Sequence, residues 1–291
     1  MATPTPTVDA WRARGRFTRW RGHQIFARVD GPVGAPPLVL IHGFPTASWD
    51  WHAVWDDLAR DHRLVACDLL GLGLSAKPRQ RYQIASQANV VEAVAAEAGV
   101  TTATVIAHDY GVTVAQELLA RRRAGVAGLA LTGLVLLNGG LFPETHRARL
   151  IQRVLASPVG PLLAPLASRR TFERNLVAIA GAAKPTAAEL DAMWTLATAE
   201  DGRAALPRLL GYIAERRRER ARWVGALEAA PVPVRLINGL ADPISGAHMV
   251  ARYRQLIRPA DVVELPGVGH YPQLEAPTAV VAAIRAFLAR R

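Results

Sequence analysis

The sequence is short of several things. One cysteine, Cys67, stands among 291 residues, so neither an internal disulfide nor a cysteine-based metal cluster can form. Lys77 and Lys184 are the two lysines, so nearly all of the 35 basic residues are arginine. No run of about 18 uncharged apolar residues occurs, which argues against a transmembrane helix. The N-terminus, MATPTPTVDAWRARGRF, has no apolar stretch ahead of its arginines and does not read as a signal peptide. The expectation is a cytoplasmic protein.

What is present is the balance of a globular chain. Hydrophobic residues make up 51% and charged residues 20%, enough to bury a sizeable core and to exclude disorder for most of the length. The length fits one large α/β domain carrying an insertion. The net charge of +11 has two readings. A basic face attracts phosphates, or the arginines are solvated on helix surfaces. The densest cluster is Arg216, Arg217, Arg218, Arg220 and Arg222. No aromatic residue interleaves it as a nucleic-acid stacking surface requires. The second reading is therefore favoured, and no nucleic-acid partner is expected.

No repeat of fixed period is visible. The first ten residues, rich in proline and threonine, are expected to fray. Residues 15–31 alternate in character and end in Asp30-Gly31, which predicts a hairpin. Six short apolar runs then end in turn signals: Leu38–Ile41, Leu64–Cys67, Thr104–Ala107, Leu134–Leu137, Val234–Ile237 and Val262–Leu265. Continuous apolar runs of this length fit strands buried on both faces. Segments of helical period separate them, including Ala53–Arg60, Ser86–Ala98 and Thr113–Arg123. The alternation predicts an α/β fold with a mostly parallel central sheet flanked by helices. It stops between Leu141 and about Gly225, in a stretch rich in Ala, Leu and Arg. The expected division is a discontinuous core, 1–140 and 226–291, and a helical cap, 141–225. An insertion there sits over the C-terminal ends of the strands, where open α/β sheets bind ligands.

The chemistry centres on Ala107-His108-Asp109-Tyr110-Gly111, between an apolar strand and a helix starting near Val112. A strand–turn–helix with small residues around a polar one is the geometry of a nucleophile elbow. Here the polar residue is Asp109. A carboxylate can act as a covalent nucleophile and is already ionised at neutral pH. The competing reading is a helix cap. Two further residues tip the balance. Asp242 follows Asn238-Gly239-Leu240-Ala241, and His270 follows Pro266-Gly267-Val268-Gly269, each just past a strand end. Nucleophile, acid and histidine then fall in the order Asp109, Asp242, His270, as in the triads of this fold. His42-Gly43-Phe44-Pro45 supplies the fourth element. The N–H groups of Phe44 and Tyr110 can bind a developing oxyanion, and His42 is expected to hold the loop rather than react.

These residues resemble the α/β-hydrolase superfamily, in the aspartate-nucleophile group of epoxide hydrolases and haloalkane dehalogenases, from about Arg19 to the C-terminus. More narrowly, the chain is similar to the branch typified by the mesoderm-specific transcript protein. Ser75-Ala76-Lys77-Pro78, Asn138–Arg147, Arg222–Leu227 and His270–Glu275 carry that likeness. The resemblance implies a two-step mechanism with no metal or organic cofactor, acting on a small molecule and water. Asp109 attacks an electrophilic carbon to form an alkyl ester. His270, oriented by Asp242, then activates the water that cleaves it. Epoxide hydrolases protonate the leaving alkoxide with lid tyrosines, and dehalogenases hold the halide with N–H donors. Phe44 and Tyr110 depart from the dehalogenase pattern, and HGFP is the pattern that epoxide hydrolases share. Tyr212 is the one tyrosine of the cap and the candidate proton donor. Trp49, Trp51, Trp194 and Trp223 are candidate pocket-lining residues, each also readable as core. Epoxide hydrolysis is the leading expectation. Dehalogenation and a non-catalytic binding protein are the alternatives.

Overall fold

The computed structural model describes residues 5–126, 128–147, 155, 157, 159–164 and 167–290. A single eight-stranded sheet runs in the order β1-β2-β4-β3-β5-β6-β7-β8. Its strands are β1 (Arg16–Trp20), β2 (His23–Asp30), β3 (Pro37–Ile41), β4 (Arg63–Cys67), β5 (Thr102–His108), β6 (Ala130–Leu137), β7 (Val234–Gly239) and β8 (Asp261–Leu265). β1 and β2 form the expected hairpin, and β2 lies antiparallel to β4. Every other pairing is parallel. All six apolar runs became strands, each extended by up to four residues at an end.

The apolar runs are unbroken because the sheet is buried on both faces. In β3, Val39 and Ile41 face one core layer, with the helices Ile84–Glu97 and Tyr110–Arg123. Leu38 and Leu40 face the other, with the helices His52–Ala59 and Pro277–Leu288. Fully burying such a side chain stabilises by about 1.5–3 kcal/mol.

Two expectations are corrected. The N-terminal residues do not all fray: Val8–Ala13 is a helix capped by Thr7, whose side chain accepts from the Ala10 N–H. Trp11 anchors it, buried edge-on against Trp55 with the Arg28 guanidinium 3.8 Å from its ring centre. The helix expected near Val112 starts at Tyr110, because the chain turns within the single residue Asp109.

Among the described residues, no strand occurs between β6 and β7. Helices fill the interval, including Gly160–Leu163, Arg169–Ile179, Ala187–Thr198, Gly202–Leu209, Tyr212–Arg218 and Arg220–Glu228. The last crosses the expected boundary at 225 and packs on the core helix Tyr110–Arg123. Glu117 of that core helix ties it down, receiving Arg222 and the Trp223 indole N–H.

Candidate active site

The site grows from the end of β5. Asp109 has φ 46° and ψ −108°, a sparsely populated conformation for a residue with a side chain, costing about 1–3 kcal/mol. Its neighbours are small for steric reasons. A Cβ on Gly111 would lie 2.5 Å from the Ile41 carbonyl oxygen. One on Gly43 would lie 2.8 Å from His108 Nδ1 and 2.9 Å from the Asp109 Cβ. The strain is held in part by the Asp109 N–H, which donates to the Asn138 carbonyl at 3.0 Å.

The two oxygens of Asp109 have different surroundings. Oδ2 accepts the Phe44 N–H at 3.0 Å. Oδ1 lies 3.8 Å from His270 Nε2, too far for a hydrogen bond. Tyr110 is the first residue of its helix, so its N–H is one of the unpaired donors at a helix N-terminus.

His270 follows β8, and its Nδ1 donates to Asp242 Oδ2 at 2.8 Å. Asp242 is buried and also accepts from Asn138 Nδ2, the N–H groups of Ile244 and Ser245, and the Ser245 hydroxyl. Burial alone would raise its pKa. The histidine and these donors outweigh burial and hold it well below the usual carboxylate range. Burial works against charge on His270 as well, but Asp242, and then Asp109, lift its pKa to about 9.

Asn138 is a residue that sequence reasoning passed over as a turn signal. Its Oδ1 accepts the Gly239 N–H at 2.6 Å while Nδ2 holds Asp242, fastening the ends of β6 and β7 together. His42 behaves as expected. Its Nε2 accepts the Leu69 N–H at 2.9 Å, so Nδ1 carries the proton and donates to the Gly43 carbonyl at 2.7 Å. Glu275 was also missed as a site residue. It accepts the N–H groups of Gly181, Gly269 and Tyr271, and the His270 N–H donates to the Ile179 carbonyl. The histidine loop is thereby tied to the end of a cap helix.

Asp109 and His270 open into a cavity of about 310 Å³. Phe44, Pro45, Phe172, Leu176, Ile179 and Ile244 give it an apolar wall, and Ser168, Thr171 and Asn175 are its polar cap residues. The expected aromatic lining is not there. Trp49 and Trp51 are wholly buried in the core, Trp49 donating to the Pro6 carbonyl. Trp223 is spent on Glu117. Trp194 stands behind the wall, edge-on to Phe172 at 5.4 Å. Tyr212 is not among the lining residues either. Its ring is buried, edge-on to Tyr110 at 4.8 Å and with the Arg216 guanidinium 4.6 Å from its centre. Helix periodicity shows which residues turn inward, but not whether they meet a cavity or a neighbouring side chain.

Comparison with known proteins bears on the fold and the family. The sequence is 39% identical to the mesoderm-specific transcript protein of Mus musculus, over 98% of this chain and 88% of that protein. It is 41% identical to the putative hydrolase LipZ of Mycobacterium tuberculosis, over 98% and 99%. The haloalkane dehalogenase DbeA of Bradyrhizobium elkani has the same fold, with a TM-score of 0.79 at 22% identity over 94% of this chain and 97% of that one. The alpha/beta hydrolase family profile matches residues 38–284, and the chain belongs to that family.

Proposed function

We propose that the protein hydrolyses a small, largely apolar electrophile through an ester on Asp109, with an epoxide as the leading substrate class. The observation that carries the reading is the split environment of that carboxylate. Oδ2 is fixed by the Phe44 N–H, and Oδ1 stands free at the cavity. Oδ1 attacks carbon, the carbon–oxygen bond of the epoxide breaks, and the freed alkoxide, still part of the alkyl group, takes a proton from solvent. In the ester the charge on Asp109 is gone. His270 then loses one of the two carboxylates that raise its pKa and becomes a base at neutral pH. It takes a proton from water, hydroxide adds to the ester carbonyl, and the oxyanion forms at the Phe44 and Tyr110 N–H groups. On collapse the expelled alkyl oxygen takes that proton from His270 and leaves as a diol, and the Asp109 carboxyl returns its own proton to the imidazole, restoring the carboxylate. Ester substrates are disfavoured, because a carboxylate attacking an acyl group yields an anhydride.

A halide leaving group is the second reading, and one observation favours it. The Tyr271 ring lines the cavity with its hydroxyl buried, and Tyr212 is not one of the lining residues, so among the described residues no tyrosine hydroxyl opens into the cavity to protonate an alkoxide. A halide leaves without a proton. The cap 141–225 over the core 1–140 and 226–291 is the division we infer for substrate entry.

Intact-mass spectrometry of His270→Phe tests both readings. Without its base the protein should still be alkylated but should not release the ester. An adduct of a whole epoxide mapped to Asp109 supports the first reading. An alkyl adduct lacking the halogen supports the second. An inert variant beside an inert wild type, across a broad panel, would overturn both.

A further inference from the structure

We propose that Thr171 and Asn175 form a polar subsite that reads an oxygen on the substrate, a hydroxyl, ether or carbonyl set back from the reacting carbon. The inference rests on the aspartyl-ester reading and narrows its substrate class. Both residues belong to the cap helix Arg169–Ile179. They are four apart, so they share one face of it, and both line the cavity with Asp109 and His270. A cavity of 310 Å³ is roughly 8 Å across if round. A ligand that fills it and touches Asp109 therefore also meets this helix.

The hydrogen bonds of this face are incompletely spent. Ser168, the third polar residue, is accounted for by the helix start: its Oγ accepts the Thr171 N–H at 3.3 Å and donates to Thr171 Oγ1 at 3.0 Å. That bond uses an acceptor position of Thr171 and leaves its hydroxyl hydrogen. Asn175 Nδ2 donates to the Thr171 carbonyl at 2.8 Å, which leaves its second hydrogen and Oδ1. Among the described residues, nothing receives the Thr171 hydroxyl or the second Asn175 N–H. Two neighbouring donors thus face a cavity whose other cap residues, Ser168 apart, are apolar, Leu163, Phe172, Leu176 and Leu206 among them. Once a ligand expels water, unmet donors are costly. A hydrocarbon leaves both unmet, and a substrate oxygen can accept from both. Packing alone would be served as well by valine and leucine.

The test uses matched pairs that differ by exchange of one CH₂ for oxygen. Butyl glycidyl ether is set against 1,2-epoxyoctane, and 2-chloroethyl propyl ether against 1-chlorohexane. The ether-to-hydrocarbon ratio of kcat/KM is measured in wild type and in Thr171→Val/Asn175→Leu, which keeps the number and branching of the side-chain heavy atoms. Comparing variant with wild type cancels the intrinsic reactivity of each substrate. The ratio should fall by about tenfold or more in the variant, with the hydrocarbon turned over at least as fast as by wild type. An unchanged ratio overturns the subsite. An equal loss on both members of a pair also overturns it, because the residues would then act on the reacting centre or on the fold. If wild type leaves all four compounds inert, the aspartyl-ester reading falls and the subsite falls with it.

Discussion

The histidine side of the cavity and its cap side are built on opposite plans. On the histidine side three polar residues are each held by several directional bonds. Asp242 has five donors, Asn138 bridges two strands, and Glu275 gathers three backbone N–H groups. On the cap side most of the wall is apolar contact, and two polar side chains retain unspent donors. Directional bonds fix atoms to within tenths of an ångström, as a proton transfer needs. Apolar contact specifies a volume and tolerates exchange. The difference is that between a part set by the reaction and a part set by the substrate.

The largest predicted effect comes from removing the group where the two sides meet. Asp109→Ala should reduce turnover by at least about a thousandfold, with near-ultraviolet circular dichroism unchanged, since the deleted carboxylate faces a cavity rather than the core. Retained turnover would mean that the strained elbow serves something other than attack.

The elbow also shows why much of the site could be read in the sequence. Asp109, Asp242 and His270 each lie just beyond an apolar run, and a strand end is a local signal. Gly43 is demanded by the His108 and Asp109 side chains and Gly111 by the Ile41 and His42 backbone, at the ends of neighbouring strands. The cap gave no such signal. Trp223 looked like a pocket residue, but Glu117, 106 positions away, claims its N–H. Tyr212 was the one tyrosine available to the cap, yet beside Arg216, one turn on in its own helix, its ring meets Tyr110 from a distant segment. Contacts between distant segments set these roles, and periodicity does not encode them. The N-terminal helix was missed for the same reason, since Trp11 is held by Trp55 and Arg28.

Glu275→Ala attacks the seam between the two sides. It strips the acceptor from three N–H groups, two on the histidine loop and one at the end of the cap helix. Bonds to a charged acceptor contribute about 1.5–3 kcal/mol each, less where water can substitute. The variant should lose about 2–4 kcal/mol in urea unfolding and about tenfold in kcat, because His270 is no longer held. A loss of stability with kcat intact would show that Asp242 alone positions the imidazole.

The charge balance gives a milder test. His270 titrates above its ordinary value in the folded protein, near 9. Its stabilising contribution is therefore complete below about pH 6.5, the ordinary imidazole value. It is lost as pH rises through about 9. Asp109→Asn imitates the neutral ester, so the His270 midpoint, followed by NMR of its ring, should move to lower pH. The decline in melting temperature on the alkaline side should begin earlier in the same variant. A midpoint that stays put would mean that Asp242 sets the charge unaided, and that alkylation does not switch the imidazole from acid to base.

The smallest effect is expected at Tyr212. A lid tyrosine that protonates the leaving oxygen would be indispensable, and Tyr212→Phe would then slow epoxide opening severely. Its ring instead packs between Tyr110 and the Arg216 guanidinium. Arg216 is itself held by the Gly140 carbonyl at 2.5 Å. Phenylalanine keeps both ring contacts. Single-turnover rates with an epoxide should therefore change by less than about threefold, worth ~0.6 kcal/mol, and the melting temperature should hold. A large loss confined to epoxides, with haloalkanes unaffected, would bring the hydroxyl back to the reacting centre. It would also require the ring to leave its place behind Tyr110 when substrate binds, making the rear of the cap as adaptable as its front.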